Sequence, residues 1–169
     1  MGKPRSQTTF QDERRQARWS SGTLGSYATK LSDGARTVVA HGTTPEESQE
    51  RASRVWEARE KQIAEVADRD IDDGLRVAFE EFAQTWAAET GHISSPVKLM
   101  EHPAYRQIVG FGPAVLPLLL EDLAENRRFW FPALNAITGE NPVPDDAAGN
   151  VGKMIEAWVA WGRDRRLIE

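Results

Sequence analysis

The stretch His102–Pro142, HPAYRQIVGFGPAVLPLLLEDLAENRRFWFPALNAITGENP, decides how this chain folds. It is the most apolar part of the sequence, and glycine and proline cut it into short pieces. Tyr105, Ile108 and Val109 fall on one helical face, which Gly110 and Gly112 bring to a stop. Pro113 opens the next piece, where Leu116, Leu119, Leu120 and Leu123 recur at i, i+3, i+4 and i+7, the spacing of a buried helix stripe. Pro117 lacks a backbone N–H, so it belongs in the first turn of that helix or bends it. Phe129, Trp130, Leu134 and Ile137 mark a third helix that Gly139 ends, and ENPVPDD after it reads as a loop. Aromatic rings at helical spacing predict helices packed on helices, with Trp130 and Trp158 in the core. Each such ring buries apolar area worth about 2–3 kcal/mol.

Working outward, the last helix follows Asn150, with Val151, Met154, Ile155, Trp158 and Trp161 on one face. Gly162 then precedes Arg163, Arg165 and Arg166, cations suited to the negative helix end. Upstream, Leu75 to Thr90 carries Leu75, Phe79, Phe82 and Trp86 on one face, with Gly91 just past its end; Ser95 and Pro96 restart the chain. Further back, Thr44 as N-cap, Pro45 at the first helical position and Glu47 at the third form a capping box. Glu47/Arg51, Glu50/Arg54 and Glu57/Lys61 follow at i,i+4 in the favourable acid-first order. A thin apolar stripe of Ala52, Val55, Trp56, Ile63 and Val66 carries this helix to about Ala67. Before it, the β-prone runs Ser26–Leu31 and Arg36–His41 flank Asp33-Gly34, a pair that supplies the positive φ of a tight hairpin turn. A lone hairpin is marginal in water, so it is expected to lean on a helix or pair with another copy.

At 169 residues, 40% hydrophobic and 28% charged, the chain has the composition of one soluble globular domain with a small appendage. The longest apolar run, AVLPLLL, is far short of a membrane span, and the opening residues lack the apolar core of a secretory signal. The absence of cysteine excludes disulfides, thiol catalysis and cysteine-held metal, and suits a cytoplasmic protein. The net charge of −5 hides an asymmetry: residues 1–30 carry +4 and the rest −9. Arg14, Arg15 and Arg18 in the basic arm are the candidate nucleic-acid contacts. The expected organisation is a basic, disordered arm over residues 1–22, a β-hairpin plus helix over 23–68, and a helical domain over 69–169.

The histidines His41, His92 and His102 show no metal-ligand spacing. Glu89/His92 and Glu101/His102 are the close acid–base pairs, and His102 before Pro103 reads as a turn or cap residue. DRDIDDGLRVAFE echoes a calcium loop through Asp68, Asp70, Asp72, Gly74 and Glu80, but the extra Asp73 shifts the glycine and the glutamate by one. The acids there read instead as helix N-terminus charge. Neither a nucleophile elbow nor a phosphate loop is present. The expectation is therefore no catalytic, cofactor or metal site. Phe131 and Trp161 are expected to stand partly exposed as partner contacts, beside Arg127, Arg128 and Arg163.

His102 to Gly139 resembles HEAT-type helical repeats: a helix ending in glycine, a Gly-Pro start, a leucine-rich second helix, then an Ala-Leu helix opening the next unit. The likeness covers about one and a half repeats, where an array needs about three. Phe79 to Trp161 also resembles an uncharacterised bacterial family, through Trp86, Glu89-Thr90, Ser94-Ser95, HPAY, ITGENPVP and EAWVAWGR. TVVAHGTTPEE resembles a second small family built on a hairpin and helix, similar to the dimerising heads of some antitoxins and regulators. These resemblances imply a mainly α fold, a compact HEAT-like bundle with a small N-terminal β-hairpin and long helix, and no catalytic residue. The expected function is a non-enzymatic protein-binding or regulatory module, antitoxin-like or a subunit of a larger bacterial complex. The expected partner is a protein, with homo-oligomerisation through the hairpin element and no membrane. The alternatives are a nucleic-acid-binding accessory factor using the arm, and a hydrolase or metal enzyme around Glu89, His92 and His102.

Overall fold

The structure, a computed structural model, describes residues 16–21, 27–32 and 37–169. Its strands are β1 (Gln16–Ser21), β2 (Tyr27–Ser32) and β3 (Thr37–Gly42). Its helices are α1 (Pro45–Ala67), α2 (Asp73–Thr90), α3 (Pro96–Glu101), α4 (Pro103–Gly110), α5 (Leu116–Asn126), α6 (Phe131–Thr138) and α7 (Val151–Asp164). The fold is mainly α with a small antiparallel sheet, as the sequence predicts. The chain divides into two compact units, Met1–Glu57 and Ala58–Glu169. The division falls inside α1, ahead of the expected boundary after residue 68. Trp56 belongs to the sheet unit's core, whereas Ile63 belongs to the helical unit's.

In the first unit the strand order is β1-β2-β3. The expected hairpin forms one residue later than its two runs suggested, with Tyr27 registered on Gly42 and Ser32 on Thr37. The Asp33-Gly34 turn lies outside the described residues. β1 is a correction to the arm: Gln16–Ser21 pair along the other edge of β2, from Gln16 on Ser32 to Ser21 on Tyr27. Backbone hydrogen bonds make that ladder, so the polar QARWSS run gave no apolar signal for it.

Leu31, Val38 and Ala40 from the sheet and Ala52 and Trp56 from α1 form the small core. Beneath it the Thr29 and Ser48 hydroxyls share a buried 2.5 Å hydrogen bond. A Cβ on Gly42 would stand 2.6 Å from the Ser48 backbone nitrogen, so the end of β3 can approach α1 this closely only as glycine. The α1 start is capped as expected, the Glu47 N–H donating to Thr44 Oγ1 at 3.1 Å. The Glu47 carboxylate reaches back one residue further than a standard capping box, to the Thr43 N–H at 2.8 Å and the Thr43 hydroxyl. Those Thr43 bonds, and then Arg51, hold the Glu47 carboxyl below its usual range. Arg51–Glu47 and Arg54–Glu50 pair as predicted, while Lys61 meets Glu65 at 3.8 Å.

In the second unit three helix starts are capped by a local side-chain acceptor. Asp72 Oδ1 takes the Leu75 N–H at 3.0 Å and begins α2, which is the role expected for the acids of the DRDIDDG run. His102 Nδ1 takes the Ala104 N–H at 3.2 Å and begins α4; Asn150 takes the Lys153 N–H at 3.2 Å and begins α7. Pro117 is the second residue of α5, where its missing donor costs nothing. The aromatic helix α6 starts at Phe131, two residues later than the pattern indicated.

The core gathers Leu116, Leu119, Leu120 and Leu123 with Trp130 and Trp158, all buried. Trp130 lies 4.6 Å from Trp86 and 5.4 Å from Tyr105, ring centre to ring centre, and 6.0 Å from Phe79. The Tyr105 hydroxyl has no hydrogen-bond partner in this cluster. Burial pushes its pKa well above the ordinary phenol value; the Ala133 backbone approaches without completing a bond and opposes the shift only in part. Among the described residues no single helix is long and apolar enough to cross a membrane.

Candidate partner-binding surface

Two buried carboxylates organise the helical unit, and both are committed to indoles. Asp122 on α5 accepts from Trp130 Nε1 at 2.6 Å, from Asn126 Nδ2 at 2.8 Å and from Arg128. Glu140, directly after α6, accepts from Trp161 Nε1 and from Arg165 Nη2 at 2.9 Å, while the Arg165 guanidinium lies 4.4 Å over the Trp161 ring. An indole N–H in a core needs an acceptor, and a buried carboxylate needs several donors to offset its lost hydration. Each acid therefore completes its tryptophan, and each arginine adds a further donor to that acid.

This arrangement corrects two expectations. Phe131 and Trp161 are 7% and 5% exposed, so neither ring is a partner contact. Trp161 is drawn inward by Glu140, 21 residues away in sequence. Phe131 sits edge-on to Phe129 at 5.5 Å with its side chain in the helical core. Periodicity left Phe131 off the third helix's apolar set and put Trp161 on the last helix's apolar face, without showing the Glu140 acceptor that holds Trp161 inside. Arg128 is half-buried against Asp122. Arg127 is exposed and holds a left-handed backbone at the end of α5. Arg163 is exposed, and its Nε–H donates to the Glu169 backbone oxygen at 2.8 Å. Arg14 and Arg15 lie outside the described residues; Arg18 falls in β1, registered opposite Lys30.

Glu89 and His102 are brought together, Oε2 to Nε2, at 2.9 Å. With Nδ1 accepting from the Ala104 N–H and Nε2 set against Glu89 of α2, both ring nitrogens are occupied at the start of α4. His92 is exposed in the turn after α2. Among the described residues no three His, Asp or Glu side chains converge as a metal-binding group.

The open surface lies around α5 and the end of α7. A cleft of about 190 Å³ between α2 and α5 is lined by Glu80, Gln84, Glu125 and Arg128 over Phe79 and Leu118. A groove of about 420 Å³ is lined by Arg69, Asp70, Asp73, Arg76 and Arg166, with Ile71, Pro117 and Leu167 among them. A third, of about 650 Å³, runs between α5 and α7 past Glu121, Val159 and Arg163, and shares Arg166 and Leu167 with the second. Arg76 pairs with Glu121 at 3.5 Å. Sequence reasoning singled out Arg163 but missed Arg69 and Arg76, which reach one groove from elements with no common spacing. No protein-family model, curated protein or solved structure matches this chain.

Proposed function

We propose that the protein is a non-enzymatic protein-binding module of regulatory kind, working through the mixed-charge grooves around α5 and the end of α7. The observation that carries this reading is the commitment of its ionisable interior. Asp122, Glu140 and His102 are each tied to structural donors or acceptors, so their polar atoms serve packing and capping. The exposed cations and acids, by contrast, line three open grooves together with some apolar residues. The antitoxin-like or complex-subunit form of the proposal rests on the hairpin–helix and HEAT-type resemblances. Purification from its own host is expected to return a second polypeptide at fixed stoichiometry, which Arg163→Glu weakens. Isolation as a bare chain at every salt concentration would defeat the reading.

A further inference from the structure

β3 is one edge of the sheet, and among the described residues no strand pairs with its far side. An edge strand presents a row of backbone N–H and C=O groups, and an edge that must stay single carries charge, proline or a bulge. β3 has none of these. Its sequence, TVVAHG, holds no lysine, arginine, carboxylate or proline, and it pairs residue for residue with β2. The opposite edge differs, because β1 carries Arg18 midway along.

The side chains of β3 alternate. Val38, Ala40 and Gly42 are buried, whereas Thr37, Val39 and His41 are exposed. Val39 is 55% exposed, and Val55 on α1 is 42% exposed. Arg51 Nη1 donates to the His41 carbonyl at 3.2 Å, so that flank of α1 stands at the end of β3. Val55, one turn on from Arg51, shares the flank. Among the described residues of the sheet unit, the large exposed hydrophobics therefore lie on β3 and beside it.

We infer that β3 pairs antiparallel with β3 of a second copy of this chain, about a two-fold axis through Val39, joining two three-stranded sheets into one of six. Directly opposite residues of an antiparallel pair share a face. Within this sheet Val39 lies opposite Lys30, both exposed, and Val38 opposite Leu31, both buried. An axis through Val39 obeys the same rule. It sets Val39 on its own copy, Val38 on Ala40 and Thr37 on His41, and it brings no like charges together. A two-fold contact requires a strand complementary to itself. β3 meets that requirement, being uncharged, with its most exposed apolar side chain at the centre. A partner selected by charge would find none on this strand to read. The inference goes beyond the protein-binding reading, which concerns the helical unit, and is tested apart from it.

The test is the mass of the full chain by sedimentation, from low to high micromolar concentration. A two-chain species is expected to grow with concentration. Val39→Glu is the decisive variant. Opposite Lys30 the glutamate suits its own sheet, while on the axis it meets its own copy. Dimer affinity is expected to fall on the order of tenfold or more, with the circular dichroism of the single chain unchanged. The chain has no cysteine, so Val39→Cys places a lone thiol on the axis. Under diamide it is expected to crosslink two chains, whereas Val151→Cys, exposed in the helical unit, is not. A single-chain mass at every concentration, a Val39→Glu dimer as tight as the parent's, or equal crosslinking of the two thiol variants would each overturn it.

Discussion

The two units are held by different means. Among the described residues the sheet unit has a core of five buried residues, Leu31, Val38, Ala40, Ala52 and Trp56, of which Trp56 is the aromatic one. It leans on backbone ladders, the Thr29–Ser48 hydrogen bond and the polar cap at Thr43–Glu47. The helical unit buries a network of rings and leucines and ties the Trp130 and Trp161 nitrogens to buried acids. Where apolar area is scarce, close backbone approach and short polar contacts carry specificity. Where it is plentiful, the buried carboxylates are held in satisfied sets, and among the described residues the Tyr105 hydroxyl alone is a buried side-chain group without a hydrogen-bond partner.

Trp130→Ala should produce the largest loss. It removes a fully buried ring and leaves Asp122 without one of its donors. Urea unfolding is expected to show a loss of about 4–5 kcal/mol in the helical unit. An effect near 1 kcal/mol would mean that the ring network contributes little. Gly42→Ala probes the sheet unit by overpacking: its Cβ would meet the Ser48 nitrogen, at an expected cost of about 1–3 kcal/mol. Unchanged amide-exchange protection across β3 would show that the close approach to α1 is dispensable.

His102→Ala should cost about 1 kcal/mol through the lost α4 cap, and His102→Asn should recover most of it. A catalytic histidine would lose function in both variants, so rescue by asparagine separates cap from catalyst.

The smallest effects at neutral pH are also opposite in sign. The Tyr105 pKa is raised in the folded state, so its contribution is complete below the free phenol value of about 10 and is lost as pH rises beyond it. Tyr105→Phe should flatten the alkaline limb of a Tm-against-pH curve without lowering the neutral plateau. Glu47 is held below its ordinary value of 4.5, so its contribution is present above that pH and fades as pH falls through the depressed value. Glu47→Gln should flatten only the acid limb. If the two variants exchange limbs, the charge assignments in the two units are wrong.

Much of this architecture was legible in the residues. The Thr44–Pro45–Glu47 signal, Asn150, Gly139 and the leucine spacing of α5 mark helix ends and a buried face through chemistry acting within a turn or two. β1 was not legible, because a paired strand edge needs no apolar side chain. Of the candidate site residues, Arg163 was visible as an exposed cation near a helix end. Trp161 was misread because its acceptor, Glu140, comes from a distant part of the chain, and Phe131 because its side chain packs into the helical core.

The sequence by itself determined where helices start and stop, which residues form their apolar faces, and that no cysteine chemistry is available, since these depend on composition and short-range contacts. Only the tertiary structure decided that Trp161 is answered by Glu140 and Trp130 by Asp122, and that Arg69, Arg76 and Arg166 meet over one groove. Those pairings join residues that local spacing does not relate, and they are set by how the helices cross, a property of the packed chain as a whole.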